Sequence, residues 1–205
     1  MNEWQVVFSR TLAAGFALLV VFSASGEVSP RASSGLSQVR TEAVRIKDQV
    51  NRTAAAARKL ASSRAYNLAA SLDALSTNLG NLNSTLAGAR ETVRTTEDQT
   101  TAYFAKWDEQ LRGMSEQMQK SGKKRQAEVM ASFKAIRTEL ADVRTSLKPF
   151  VDEMNEMEQY LRTDQTKAGL DTVAERLRST AEQEHVIRRD LDKLIKQIDT
   201  IQRKQ

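Results

Sequence analysis

One apolar ridge dominates the middle of the chain and restricts what it can fold into. Between Leu68 and Met118, apolar residues recur at alternating intervals of three and four for about seven heptads. This spacing predicts one long helix whose apolar stripe must be buried by other helices. The stripe keeps its phase through Gly80 and Gly88, which predicts glycines that are tolerated or closely packed rather than helix ends. Its strongest members are Leu68, Leu72, Leu75, Leu79, Leu82 and Leu86.

Weaker patterns of the same type predict three further helices. The apolar phase slips over residues 61–67, and this slip favours a boundary between two helices over an alanine-lined stutter in one continuous helix. A turn is predicted over 119–124, where Gly122 can adopt a left-handed conformation. The predicted helices span residues 36–64, 67–119, 123–162 and 166–203.

Short connections make successive helices antiparallel neighbours. The sequence therefore predicts an all-α fold, an elongated antiparallel helical bundle or coiled coil made of the last three helices. The helix over 36–64 either adds a fourth helix or projects from the bundle. Pro149 predicts a kink in the third of the four helices. The apolar stripe is thin around Thr180 and Glu184, which indicates either a lapse in packing or a contact with another subunit.

The composition excludes several classes of protein. The 205 residues include no Cys, one His, two Pro and eight Gly. Without Cys there is no disulfide scaffold, zinc ribbon, iron–sulfur cluster or thiol catalysis, and so few Pro and Gly cannot form the turns of an all-β fold. The aromatic residues fall on or beside apolar stripes, so they predict a core knot near one end of the bundle rather than a ligand pocket. These residues are Tyr103, Phe104, Trp107, Phe133 and Phe150.

Residues 1–26 have the three-part build of a secretory signal peptide. A short segment ends at the positive charge of Arg10, residues 11–22 are apolar and uncharged, and small residues follow. The apolar run is shorter than the roughly 20 residues of a spanning helix, which favours cleavage over an uncleaved inner-membrane anchor. We expect a protein exported to the periplasm, with a flexible lead-in over 27–35 and a helical coiled-coil bundle over 36–205.

Few groups of side chains suit chemistry. Glu182 and His185 have the Glu-x-x-His spacing of a di-iron bundle, but one His cannot complete such a site, so a surface His is the favoured interpretation. An acidic cluster in the third helix predicts a solvated face or pairing with a neighbouring helix. Its members are Asp152, Glu153, Glu156 and Glu158. We therefore predict no enzyme activity, no catalytic or metal-binding residues, no cofactor and no small-molecule substrate.

One basic group is a candidate contact site for an anionic partner. It lies at the predicted turn, where ammonium groups could hold the phosphates of a lipid headgroup. The simpler alternative is a solvated hairpin tip. No nucleic-acid-binding motif accompanies these residues, so no nucleic-acid partner is predicted. The group consists of Lys120, Lys123, Lys124 and Arg125.

Several short motifs resemble a bacterial exported family known as domain of unknown function 2959. The resemblance covers about Asn67 to Ile201 and rests on Leu68-x-x-x-Leu72-Asp73-x-Leu75, Phe104-x-x-Trp107-Asp108-Glu109-x-Leu111, Lys148-Pro149-Phe150 and Tyr160-Leu161. It implies a signal-bearing, all-helical protein rich in coiled coil and without an assigned activity, and it carries over no functional residues. The chain departs from the family at its N-terminus, because members often carry a lipobox Cys and this chain has none.

The long apolar ridge and the signal peptide together predict a non-enzymatic structural or interaction protein of the bacterial cell envelope. Its expected partner is another envelope protein or a second copy of the chain. The alternative is a peripheral module that binds a lipid or membrane surface through its amphipathic helices and basic tip.

Overall fold

The computed structural model describes the backbone of residues 30–203 and the side chains of 34–203. The predicted signal peptide over 1–26 lies outside the described residues. The lead-in predicted over 27–35 is helical from Pro30 onward, which corrects the prediction of a flexible segment there. Proline suits the first position of a helix, because its φ is already helical and its missing N–H would have no partner there in any case.

The described residues form helices and no strands, which confirms the all-α prediction. A short 3-10 turn, Ala65–Asn67, joins the first two helices and agrees with the boundary expected over 61–67. The helices are α1 (Pro30–Ala61), α2 (Leu68–Arg112), α3 (Glu116–Thr163), α4 (Lys167–Glu182) and α5 (Glu184–Gln202).

Four helical segments pack side by side: α1, the first half of α2, the second half of α3, and α4 with α5. Helix α1 is thus a fourth member of the bundle, whereas the sequence predicted three helices and left the place of the first one open. Its polar side chains bond to both neighbours. Gln49 Nε2 donates to the Asn78 carbonyl of α2 at 2.9 Å, and Arg40 Nε donates to Asp199 Oδ1 of α5 at 2.6 Å.

The interior of the bundle is continuous and apolar. The ridge of α2 enters it as expected, with Leu72, Leu75 and Leu82 at most 1% exposed. Leu86 and Val93 are half-buried against the same core. The ridge is covered by α1 as well as by the helices that follow it. Among the largest fully buried side chains from the other helices are Leu60, Phe150, Met154, Met157, Leu161, Leu170, Leu177 and Ile187.

The turn between α2 and α3 lies at 113–115, not at 119–124 as predicted. Gly122 lies inside α3 and allows close packing there, since a Cβ would lie 2.3 Å from Leu111 Cδ2. Helix α3 continues through Pro149, which is on the exposed face. There the carbonyl that loses its helical donor can bond to water instead.

The helix predicted over 166–203 is divided at Gln183 into α4 and α5. Thr166 caps α4, because its hydroxyl accepts a hydrogen bond from Gly169 N at 3.0 Å. Both segments keep their apolar side chains on the core side. The predicted length was right, and the missed break coincides with the thin part of the stripe at Thr180 and Glu184.

Two glycines in α2 are expected to be sites of stabilisation. A Cβ at Gly80 or at Gly88 would meet no atom within 4 Å, so neither glycine serves close packing. We expect Gly80→Ala and Gly88→Ala each to raise the free energy of unfolding by about 0.5–1 kcal/mol, since alanine loses less backbone entropy in a helix. Urea denaturation followed by circular dichroism measures this change. Gly169→Ala should have the opposite effect, because its Cβ would lie 2.4 Å from the Asp164 carbonyl.

Candidate functional site

Residues 97–136 of α2 and α3 project past the bundle as a two-helix hairpin. Helix α1 passes the level of Thr96 at Gly35, where a Cβ would lie 2.9 Å from Thr96 Cγ2, and its first residue, Pro30, lies about 8 Å further along the hairpin. Helix α5 ends near the level of Thr96, where Gln202 Nε2 donates to Ser37 Oγ at 2.7 Å. Beyond that level α2 continues to Arg112, a distance of about 24 Å at 1.5 Å per residue. We call residues 97–136 the hairpin.

Aromatic side chains give the hairpin a small core of its own. Trp107, Leu111 and Val129 are buried in it, and half-buried aromatic residues surround them. Tyr103 meets Trp107 edge to face with ring centroids 5.5 Å apart, and Phe104 meets Phe133 in the same way at 6.1 Å. Burial raises the pKa of the Tyr103 phenol, and the positive charge of Arg125 partly opposes that rise.

The predicted aromatic knot is therefore correct for four of its five members and wrong for Phe150. That side chain is fully buried in the bundle core rather than in the hairpin. Phe133 packs against both cores and links them. The knot lies in the projecting part of the molecule, where only two helices are available to bury apolar surface.

Close packing and one polar pair hold the two helices of the hairpin together near its end. Gly122 lets α3 approach Leu111 of α2. One turn further from the end, Gln126 Nε2 donates to Asp108 Oδ1 at 3.0 Å. Because these contacts lie between opposite helices, they set the register of α2 against α3 near the turn.

The predicted basic residues lie in the first turns of α3, close to the true end of the hairpin. Lys120, Lys123 and Lys124 are exposed, and none of them makes a salt bridge within the side chains that the structure describes. Arg125 is engaged with Glu128, its Nη1 lying 2.9 Å from Glu128 Oε2. Met118 is 61% exposed on the turn before Gly122. We call Met118, Lys120, Lys123 and Lys124 the tip patch.

Three of the four acidic residues in the α3 cluster bond to neighbouring helices, and the fourth, Asp152, pairs with Lys148 of the same helix on the exposed face. Glu156 makes a two-bond ion pair with Arg176 of α4 at 3.0 and 3.1 Å. Hydrogen bonds from this guanidinium hold the pKa of Glu156 below its usual value. Glu158 accepts from Ser76 of α2 at 2.5 Å. These carboxylates connect helices to one another.

Sequence analysis missed a buried polar layer at the break between α4 and α5. The Glu184 carboxylate is only 3% exposed and accepts from Arg58 of α1 and from Arg188, each at 3.1 Å. Arg58 also donates to the Ala181 carbonyl at 2.9 Å. Thr180 is fully buried, and its hydroxyl donates to Glu153 Oε2 at 2.5 Å. The thin stripe, which indicated either a lapse in packing or a contact with another subunit, thus coincides with polar bonds between helices of the same chain.

His185 lies on the surface of α5, with Nε2 3.5 Å from Glu182 Oε2. It borders an open depression formed by α5 side chains. Two cations at that depression, Arg189 and Lys193, face the buried carboxylate of Asp190 at 3.5 and 3.4 Å. Their charge is therefore partly balanced inside the protein.

Within residues 34–203, no three His, Asp or Glu side chains are grouped so that they could hold a metal ion. None of the helices in the described part of the chain is long and apolar enough to cross a membrane. No protein-family model matches this chain, and no curated protein or solved structure is significantly similar to it. The resemblance to domain of unknown function 2959 stays a prediction.

Proposed function

We propose that this protein is a non-enzymatic interaction protein of the bacterial cell envelope, exported to the periplasm and acting through its hairpin. The observation that carries the proposal is the projection of residues 97–136 beyond the four-helix bundle. A hairpin with its own core can hold a binding surface about 24 Å beyond the end of α5 and about 16 Å beyond the start of α1. The bundle then acts as the base that keeps the hairpin in one direction.

The arrangement of the polar side chains supports a structural role over a catalytic one. Carboxylates of α3 are committed to bonds between helices, as at Glu156 and Glu158. The buried carboxylate of Glu184 is held by two guanidinium groups. Groups fixed in this way stabilise the packing of the bundle, whereas the three lysines of the tip patch are exposed and make no salt bridge to a described side chain.

Site-specific photo-crosslinking in cells tests this proposal. A photoreactive amino acid at Gln117, which is exposed next to the tip patch, should form an adduct with a component of the envelope that mass spectrometry identifies. The matched position is Ala69, which is exposed at the opposite end of the bundle and should form no such adduct. Recovery of only the free monomer from both positions, or of the protein in the cytoplasmic fraction, would contradict the proposal.

A further inference from the structure

The tip patch differs from the other basic surfaces because three exposed lysines without a described salt bridge fall within five residues of one helix. Lys120, Lys123 and Lys124 stand within two turns of α3 and are exposed, without salt bridges to any described side chain. On α5, by contrast, Arg188 is bonded to Glu184, and Arg189 and Lys193 share Asp190. Other exposed cations without a described salt bridge, such as Arg52, Arg90 and Arg144, lie far apart along the chain, whereas the three lysines form a group near the far end of the hairpin.

Apolar side chains accompany this charge. Met118 is 61% exposed, and Met114 in the turn is half-buried at the edge of the hairpin core. Along α3, Met118 precedes Gly122 by one turn and so belongs to the inner face, but α2 has already ended at that level. The two methionines therefore form an apolar end on the hairpin, with ammonium groups on the outer side of α3 behind it.

We propose that the tip patch docks on a lipid surface that carries anionic headgroups. This inference rests on the proposed function, because it names the envelope component that the hairpin reaches. The lysine ammonium groups pair with headgroup phosphates, and Met114 and Met118 enter the boundary between headgroups and acyl chains. The four-helix bundle stays above the surface, held there by the length of the hairpin.

Fluorescence from single labels on the full chain tests the docking. The chain has no Cys, so Gln117→Cys and Ala69→Cys each give one attachment site for a fluorophore that responds to water. On vesicles of phosphatidylcholine with phosphatidylglycerol, the label at position 117 should shift its emission to the blue, while the label at 69 should not. On vesicles of phosphatidylcholine alone, or in 1 M NaCl, the shift at 117 should be largely lost.

Charge reversal at the tip gives the quantitative test. Lys120→Glu, Lys123→Glu and Lys124→Glu combined should require at least about 100-fold more anionic lipid for the same response at position 117, since each lysine near such a surface adds about a factor of five and the glutamates are repelled as well. The matched control reverses three exposed cations of the bundle, Arg52→Glu, Arg90→Glu and Arg144→Glu. It changes the net charge equally and should leave the response unchanged.

Three results would overturn the inference. They are a label at 117 that stays in water on anionic vesicles, an equal response at 69, and an equal loss of response in the control reversal. If the label at 117 is silent on vesicles but crosslinks to an envelope protein in cells, the tip binds a protein, and the proposed function stands without the lipid contact. If both measurements are negative, both proposals are wrong.

Discussion

Phe150→Ala is expected to lower the free energy of unfolding of the bundle by about 3–5 kcal/mol. The ring is fully buried in the bundle core, next to other large side chains of α3 that are also inaccessible to water. Removing it loses the transfer free energy of the ring and leaves a cavity that tightly packed helices cannot fill. Thermal or urea denaturation followed at 222 nm measures the change.

Trp107→Ala is the matched substitution in the second core. Trp107 is also buried, but its partners lie within the hairpin. We expect its loss to speed amide hydrogen exchange over residues 97–136 and to leave exchange in α1 and α5 nearly unchanged. A uniform increase in exchange along the whole chain would contradict the division into two cores. Because Phe133 packs against both cores, we expect amide exchange near it to increase by an intermediate amount.

Arg58→Met is the second substitution for which a large loss is expected. It leaves the carboxylate of Glu184, 3% exposed, with Arg188 as its remaining ion-pair partner. Removing one partner of a buried ion pair lowers the free energy of unfolding by more than the pair contributes to it, because the remaining charge stays buried without its partner. With Arg188 still in place, we expect a loss of about 2–3 kcal/mol in the free energy of unfolding.

The double variant Arg58→Met with Glu184→Met separates this cause from a loss of packing. If the unpaired carboxylate causes the loss, removing it as well should restore most of the stability, and a double-mutant cycle in urea measures the coupling. If the double variant is less stable than Arg58→Met alone, the explanation is wrong. Arg45→Met removes an arginine that is 64% exposed and should leave the unfolding midpoint unchanged.

Heptad spacing was enough to predict the helices because it reports burial directly. Leu72, Leu75 and Leu82 belong to one stripe in the sequence and to one core in the structure. The boundary over 61–67 was predicted for the same reason, since a change of phase requires a change of helix. What the spacing could not show is which helix covers the stripe, because several helices with similar stripes can do so.

The hairpin turn was predicted in the wrong place mainly because Gly122 was interpreted as a turn residue. Gly122 suggested a left-handed turn residue, but its role is to let α3 approach Leu111, whereas the real turn follows Gly113. Both roles need a missing side chain, so the residue type alone does not separate them. Consequently the basic residues were correctly placed near the tip, but on a helix rather than in a turn.

Polar residues inside a stripe were the second source of error. Thr180 and Glu184 interrupt the apolar pattern because they bond to Glu153 and Arg58, which are distant in sequence. A single helix carries no sign of where its polar partners lie. The bonds could be found only when all four helical segments were brought together.

The contact between Ser37 and Gln202 determines where a reporter domain can be attached without hindering the hairpin. It places the described end of α5 at the end of the bundle from which residues 97–136 project. A bulky fusion after Gln205 would therefore stand beside the hairpin and shield it. The link between α1 and α2 offers the opposite end, and an insertion after the exposed Arg64 would keep a fluorescent protein clear of that surface.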